Sequence, residues 1–202
     1  MKSINRRVNA RSAAPVSVAG LLLAGGLLLG VVGCSPQGAA PDPAQTAAVA
    51  TSLRAGSTTD DGTTVLGSTS VGDSVFVLGQ RGSDIRFGAS FDGSDPDQNW
   101  ETFGSPAEVA ADGLTVVNPG NFPDAAPGGL ATVTGQVGTD VVGLDIVTHA
   151  GDTVAASVGG GYYLAAWEGR DFDDRDTLDA RFVMHLADGS SRTVGYHEAT
   201  EG

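Results

Sequence analysis

From about residue 61 to the end, short apolar runs alternate with polar positions, and glycine or aspartate interrupts them every few residues. Period-two alternation puts every second side chain on one face of an extended chain, so the pattern predicts β structure. Strands are expected at Val75–Leu78, Ile85–Phe91, Leu114–Val117 and Leu130–Gln136. Val142, Leu144 and Ile146 alternate, His149-Ala150-Gly151-Asp152 supplies a turn, and Val154, Ala156 and Val158 alternate on the return, which predicts a hairpin. Tyr162–Trp167 gives a further strand. Leu178, Ala180, Phe182, Met184 and Leu186 share a face of the next, and Asp188-Gly189 turns the chain toward Val194 and Tyr196. Helical spacing is confined to 106–111 in this region. The expectation is an all-β fold, an antiparallel β-sandwich of the immunoglobulin-like kind, over residues 61–202.

An internal echo raises the alternative of two related β units, with a subdivision near residue 130. Gly79-Gln80-Arg81-Gly82-Ser83-Asp84-Ile85 matches Gly135-Gln136-Val137-Gly138-Thr139-Asp140-Val141 at four identical and two conservatively paired positions. The competing reading is compositional, because 30 glycines make such matches common.

The first 33 residues have a different texture. Lys2, Arg6, Arg7 and Arg11 form a basic, acid-free head, and Ala13–Gly33 carry no charge and two leucine triplets, Leu21–Leu23 and Leu27–Leu29. A basic head, an apolar run and small residues at its end make a secretory signal. Val31-Val32-Gly33-Cys34 resembles the lipoprotein signal box of bacteria, a branched apolar residue three before a cysteine that follows a small residue. The resemblance implies that a diacylglyceryl group joins the Cys34 sulfur and that cleavage makes Cys34 the first residue. The alternative is an uncleaved transmembrane helix, against which Pro15 and five glycines weigh. Arg6-Arg7 also permits a twin-arginine route, but Val8-Asn9-Ala10 lacks the bulky apolar pair such signals carry, and the general secretory route is preferred. Residues 34–60 read as the lipidated cysteine and a flexible linker, rich in Ala, Pro, Gln, Ser and Thr; Ala44–Leu53 could form a brief helix.

Charge and cysteine count remove several classes of function. With the leader gone, seven arginines and no lysine face all 24 acids, a balance of −17. A nucleic-acid binder working through a basic surface is excluded. One cysteine excludes an internal disulfide and any multi-cysteine metal site. The acidic surface is compatible with a cationic ligand or partner without specifying one.

Candidate chemistry is sparse. The bases near neutral pKa are His149, in a turn, His185, on the face opposite Phe182 and Met184, and His197, near the end; all three read as solvated residues. Asp171-Phe172-Asp173-Asp174-Arg175-Asp176 places four carboxylates in six residues. A hard cation such as Ca²⁺ takes six to eight oxygens, so Asp171, Asp173, Asp174 and Asp176 are the candidate metal ligands, although the glycine and terminal glutamate of an EF-hand are missing. A solvated acidic loop is the preferred reading. Asp95-Pro96-Asp97-Gln98-Asn99 is similar and equally incomplete. Trp100, Phe103, Tyr162, Tyr163 and Trp167 could make an aromatic surface for sugar or peptide, with core as the preferred place for them.

The stretch 135–169, with Gly138-Thr139-Asp140-Val141, a Gly-Asp turn and Tyr162-Tyr163-Leu164-Ala165-Ala166-Trp167, resembles β-rich extracytoplasmic domains of actinobacterial lipoproteins. That likeness implies location and fold, and no activity. The expectation is therefore a membrane-anchored protein on the outer face of the cell membrane. Its non-enzymatic β domain would bind or scaffold an envelope ligand or protein. The alternatives are an envelope hydrolase using carboxylates and a calcium-binding β domain.

Overall fold

The computed structural model describes residues 53–92, 96, 100–103, 108–172 and 179–201. Twelve strands run through them: β1 (Thr64–Val71), β2 (Ser74–Arg81), β3 (Asp84–Ser90), β4 (Glu101–Phe103), β5 (Leu114–Phe122), β6 (Leu130–Val137), β7 (Val141–Val147), β8 (Thr153–Ala155), β9 (Ser157–Gly159), β10 (Tyr162–Glu168), β11 (Arg181–Leu186) and β12 (Ser191–Gly195). A short helix, α1 (Tyr196–Glu201), follows. The strands pair antiparallel into three four-stranded sheets: sheet I in the order β1-β2-β3-β4, sheet II in the order β5-β6-β10-β9 and sheet III in the order β12-β11-β7-β8. The fold is all-β and sandwich-like, as the alternation predicted, with three sheets where an immunoglobulin-type domain has two.

Sheet II is the middle layer, and β10 shows why. Tyr163, Ala165 and Trp167 pack with Leu144, Ile146, Phe182 and Met184 of sheet III. Tyr162, Leu164 and Ala166, on the opposite face, pack with Leu66, Phe76, Leu78 and Phe87 of sheet I. A strand buried on both faces reads as a continuous apolar run instead of an alternating one, which is how Tyr162–Trp167 reads. Each fully buried large side chain, such as Leu164 or Phe76, contributes about 1.5–3 kcal/mol of transfer free energy. Sheet I has a second, smaller cluster on its outer face, where Leu53 and Trp100 cover Val65, Val75 and Val77.

The tight turns follow glycine. Gly72 and Gly82 take φ of +56° and +61° in two-residue turns closed by Val71–Ser74 and Arg81–Asp84. The hairpin expected around His149 forms between β7 and β8, with Ile146 opposite Val154. The chain then changes sheets at Ala156, whose N–H donates to Leu144 O while the next residues, β9, pair with β10 in sheet II. One side chain departs from the expected alternation. His185 pairs with Gly143 and Leu186 with Val141, so a bulge skips Val142, which projects to solvent while Val141 takes the core position. The helical spacing at 106–111 forms no helix over its described part, 108–111.

The two echoed segments occupy different structures. Residues 79–85 make the β2–β3 hairpin, whereas 135–141 carry the chain from sheet II to sheet III. Gly82 is required for its positive φ. Gly138 instead allows close approach, since a Cβ there would stand 2.0 Å from Ala110 O.

Candidate functional site

Sheets I and II pack face to face, but the layer between them is open along the edge formed by β3, β4 and β5. A cleft of about 550 Å³ lies there, lined by Phe87, Ala89, Ser90, Phe91 and Asp92 from β3 and its end, and by Glu101 of β4. Asn118, Gly120, Asn121 and Phe122 of β5 complete it. A second depression of about 310 Å³ shares Phe91, Asn121 and Phe122 and runs on to Asp124. Alternation along β3 turns Phe87 and Ala89 toward sheet II. Register does the same for β5: Phe122 pairs with Leu130 and Asn118 with Thr134, which puts them on the face of sheet II that meets sheet I.

The aromatic wall is built from four of the chain's seven phenylalanines, Phe76, Phe87, Phe91 and Phe122. Phe76 is wholly buried at its centre, with ring centroids 6.2 Å from Phe87, 6.0 Å from Phe91 and 5.9 Å from Phe122. Phe91 and Phe122 lie 4.9 Å apart at the opening. Phe91 keeps 42% of its surface exposed, the largest exposure of any aromatic hydrophobic side chain among the described residues. Its ring is held on one side by Phe76 and Phe122 and presents the other to solvent. The polar lining is of one sign. Asp92 and Glu101 are exposed carboxylates, Ser90 Oγ donates to Asp92 Oδ1 at 3.0 Å, and no Lys, Arg or His is among the described lining residues. The cleft therefore combines a prebuilt aromatic surface with negative charge and amide groups, the makings of a binding site.

No family model, curated protein or solved structure matches the chain. Function has to be argued from the site itself.

Of the residues singled out from the sequence, Cys34 lies outside the described residues, as do Asp173, Asp174 and Asp176. Asp171 is described. Its Oδ2 accepts the backbone N–H of His149 at 2.8 Å, and among the described residues no group of three or more His, Cys, Asp or Glu side chains could hold a metal ion. In the second acidic stretch only Pro96 is described. Tyr162, Tyr163 and Trp167 are core side chains of the middle sheet, so the aromatic surface considered for them is absent. Tyr163, wholly buried, has its hydroxyl pushed far above the usual tyrosine range by burial. Trp100 packs on the outer face of sheet I with the Arg86 guanidinium 5.1 Å from its ring, and Phe103 lies against Phe87 with its ring tilted by 46°.

Two histidines have partners that the sequence did not reveal. His149 Nδ1 lies 2.7 Å from Asp179 Oδ1, and this hydrogen bond, with the charge of Asp179, raises the imidazole pKa above 6.5. Both Asp171 and Asp179 thus meet one residue of the β7–β8 turn. His185 stands between Asp145 Oδ2, 2.9 Å from Nε2, and Ser191 Oγ, 3.3 Å from Nδ1. The residue types are those of a nucleophilic triad, but the three come from β12, β11 and β7 side by side on the outward face of sheet III. Ser191 is exposed, its contact with the imidazole is long at 3.3 Å, and the three side chains stand on an outward sheet face. The row is a cross-strand polar ladder.

The cleft residues Phe87, Phe91, Asp92, Glu101, Asn118 and Phe122 were not legible as a site. They come from three strands separated by up to 35 positions, and no motif links them.

Proposed function

We propose that this is a lipid-anchored protein of the outer face of the cell membrane whose β domain binds an envelope ligand in the cleft between sheets I and II. The observation that carries the binding role is the half-exposed Phe91, held at the mouth of an aromatic-walled cleft beside two carboxylates. A large apolar ring left facing water in a concave, polar-rimmed site is the usual mark of a ligand pocket. The anchor is supported by the basic head, the uncharged leucine-rich run and Gly33-Cys34. Two or three acyl chains hold a protein on a bilayer, each buried methylene contributing about 0.8 kcal/mol. Among the described residues no helix is long and apolar enough to cross a membrane. The polar Ala- and Pro-rich segment after Cys34 acts as a spacer between lipid and domain.

The hydrolase alternative fares less well, because the described carboxylates of the cleft stand exposed at its rim and the Ser191–His185–Asp145 row lies on the outward face of sheet III. The binding role is tested by labelling phenylalanine rings with ¹³C and adding fractionated envelope extract. Resonances of Phe91 and Phe122 should move, while that of Phe182, fully buried between sheets II and III, should stay. Rings at the cleft that answer to no fraction would refute the assignment.

A further inference from the structure

We infer that the cleft takes an organic ammonium ion, a positively charged nitrogen carried on an apolar body. The inference rests on the cleft being the binding site and goes on to name its ligand class. Three lines of chemistry converge on it. The face of a phenyl ring is electron-rich and attracts a cation, most strongly where water is displaced. Phe91 and Phe122 are in contact at the opening, with centroids 4.9 Å apart and rings inclined at 51°, so a cationic group would rest on their joint outer surface, chiefly the exposed face of Phe91. Asp92 and Glu101 are acceptor-only groups when ionised, and among the described residues they are the charged side chains lining the main cleft; Asp124, also acidic, stands on the adjoining depression.

The choice among ligands follows from sign. A phosphate or carboxylate ligand in the main cleft would meet like charge, since no Lys, Arg or His is among the described lining residues; Arg170, which donates to Pro123 O at 3.4 Å, stands beside the second depression. A neutral polyol would gain charge-assisted hydrogen bonds from the carboxylates but no attraction between opposite charges. An ammonium ion gains from both the rings and the acids. Beyond the leader the chain carries a balance of −17, and a field of that sign concentrates cations near the surface and hastens their arrival.

The test uses the full lipoprotein in nonionic detergent with ¹³C-labelled phenylalanine and two probes of the same shape, choline and its uncharged isostere 3,3-dimethylbutan-1-ol. Choline should move the Phe91 and Phe122 resonances saturably and bind at least about tenfold more tightly than the isostere, a difference of about 1.4 kcal/mol. Replacing Asp92→Asn and Glu101→Gln together should weaken choline binding by about tenfold or more and flatten its dependence on salt, with an unmoved Phe182 resonance showing that the fold is intact. Equal binding of the two probes overturns the ammonium inference and leaves the cleft as a site for apolar ligands. The ammonium inference is likewise overturned if choline leaves the rings unmoved while envelope extract moves them. Rings that respond to neither choline nor extract overturn both the inference and the binding role.

Discussion

Replacing Gly135 by alanine should cost more stability than any other single methyl group added to a glycine of sheet II. Gly135 sits in β6 between Val116 of β5 and Tyr163 of β10. A Cβ at this position would lie 1.9 Å from Thr115 O, 2.6 Å from the Tyr163 ring and 2.7 Å from its hydroxyl. An ordinary carbon–oxygen contact is about 3.5 Å, so β5 must retreat by about 1.5 Å or β6 must twist away. Strands are spaced about 4.8 Å apart, and a shift of that size breaks ladder hydrogen bonds. Tyr163 cannot yield, being wholly buried with Phe182 at 6.2 Å. Overpacking alone costs about 1–3 kcal/mol. One or two stranded backbone groups add about 1–3 kcal/mol each. The expected loss is about 3–5 kcal/mol, a large part of the 5–15 kcal/mol typical of a domain. Urea unfolding followed by the fluorescence of Trp100 and Trp167 measures it. Gly128→Ala is the control, because Gly128 is exposed and a Cβ there meets nothing within 4 Å, so it should stay within about 0.5 kcal/mol of the parent. If Gly135→Ala also falls within about 1 kcal/mol of the parent, the close approach of β5, β6 and Tyr163 is wrong.

Four further outcomes are expected. Asp61 accepts bonds from Thr59 Oγ1, Thr63 N and Arg86, which hold its carboxyl well below the usual range; Asp61→Ala should destabilise by about 1.5 kcal/mol, the low end for charged hydrogen bonds because Asp61 is one-third exposed. That contribution is present above pH about 4 and lost as pH falls, so the gap between parent and variant in urea midpoint should close in acid. For His149 the sign is opposite, since its pKa is raised: the melting-temperature difference between parent and His149→Ala should be full below pH 6.5 and shrink as pH rises through the raised value. Cys34→Ala should move the protein from the detergent-soluble membrane fraction to the medium or to uncleaved precursor, and unchanged membrane-bound mature protein on an immunoblot would contradict the anchor. On the preferred reading of residues 171–176 as a solvated acidic loop, calcium should leave the melting temperature unchanged; a rise of several degrees, lost in Asp173→Asn with Asp174→Asn, would place the ion in that loop.

Most strands could be read from alternation because burial on one face imposes it. Phe182, Met184 and Val194 point inward as their spacing required. Alternation could not report the number of layers. β2 and β10 are buried on both faces, and a continuous apolar run does not say whether the second cover is another sheet, as over β10, or a few side chains such as Leu53 and Trp100, as over β2. Val142 failed for a local reason: a bulge adds a residue without a sequence mark, and everything before it flips. The repeated Gly-x-x-Gly-x-Asp string misled because glycine answers two different needs, a positive φ at Gly82 and close backbone approach at Gly138.

The cleft was illegible for a reason that follows from the same layering. In the tightly closed half of the molecule, the space between sheets II and III is filled by Tyr163, Trp167, Phe182 and Met184, all buried. Between sheets I and II phenylalanines share the space with Leu66, Leu78, Leu130 and Leu164, and from sequence alone Phe91 and Phe122 are indistinguishable from Phe76, which is wholly interior. What separates them is the edge. β4 has only three residues and β5 carries a bulge after Val116, so the two sheets have no long straight strands to close against each other there. A short edge strand and a bulged one thus turn part of an aromatic core into a surface. Phe91→Ala should therefore weaken any ligand far more than it weakens the fold, whereas Phe76→Ala, deep in the same cluster, should cost about 3–5 kcal/mol of stability and lose binding only as the cleft collapses. Urea midpoints and ring-resonance titrations on the two variants separate these effects, and equal stability losses would mean that Phe91 belongs to the core.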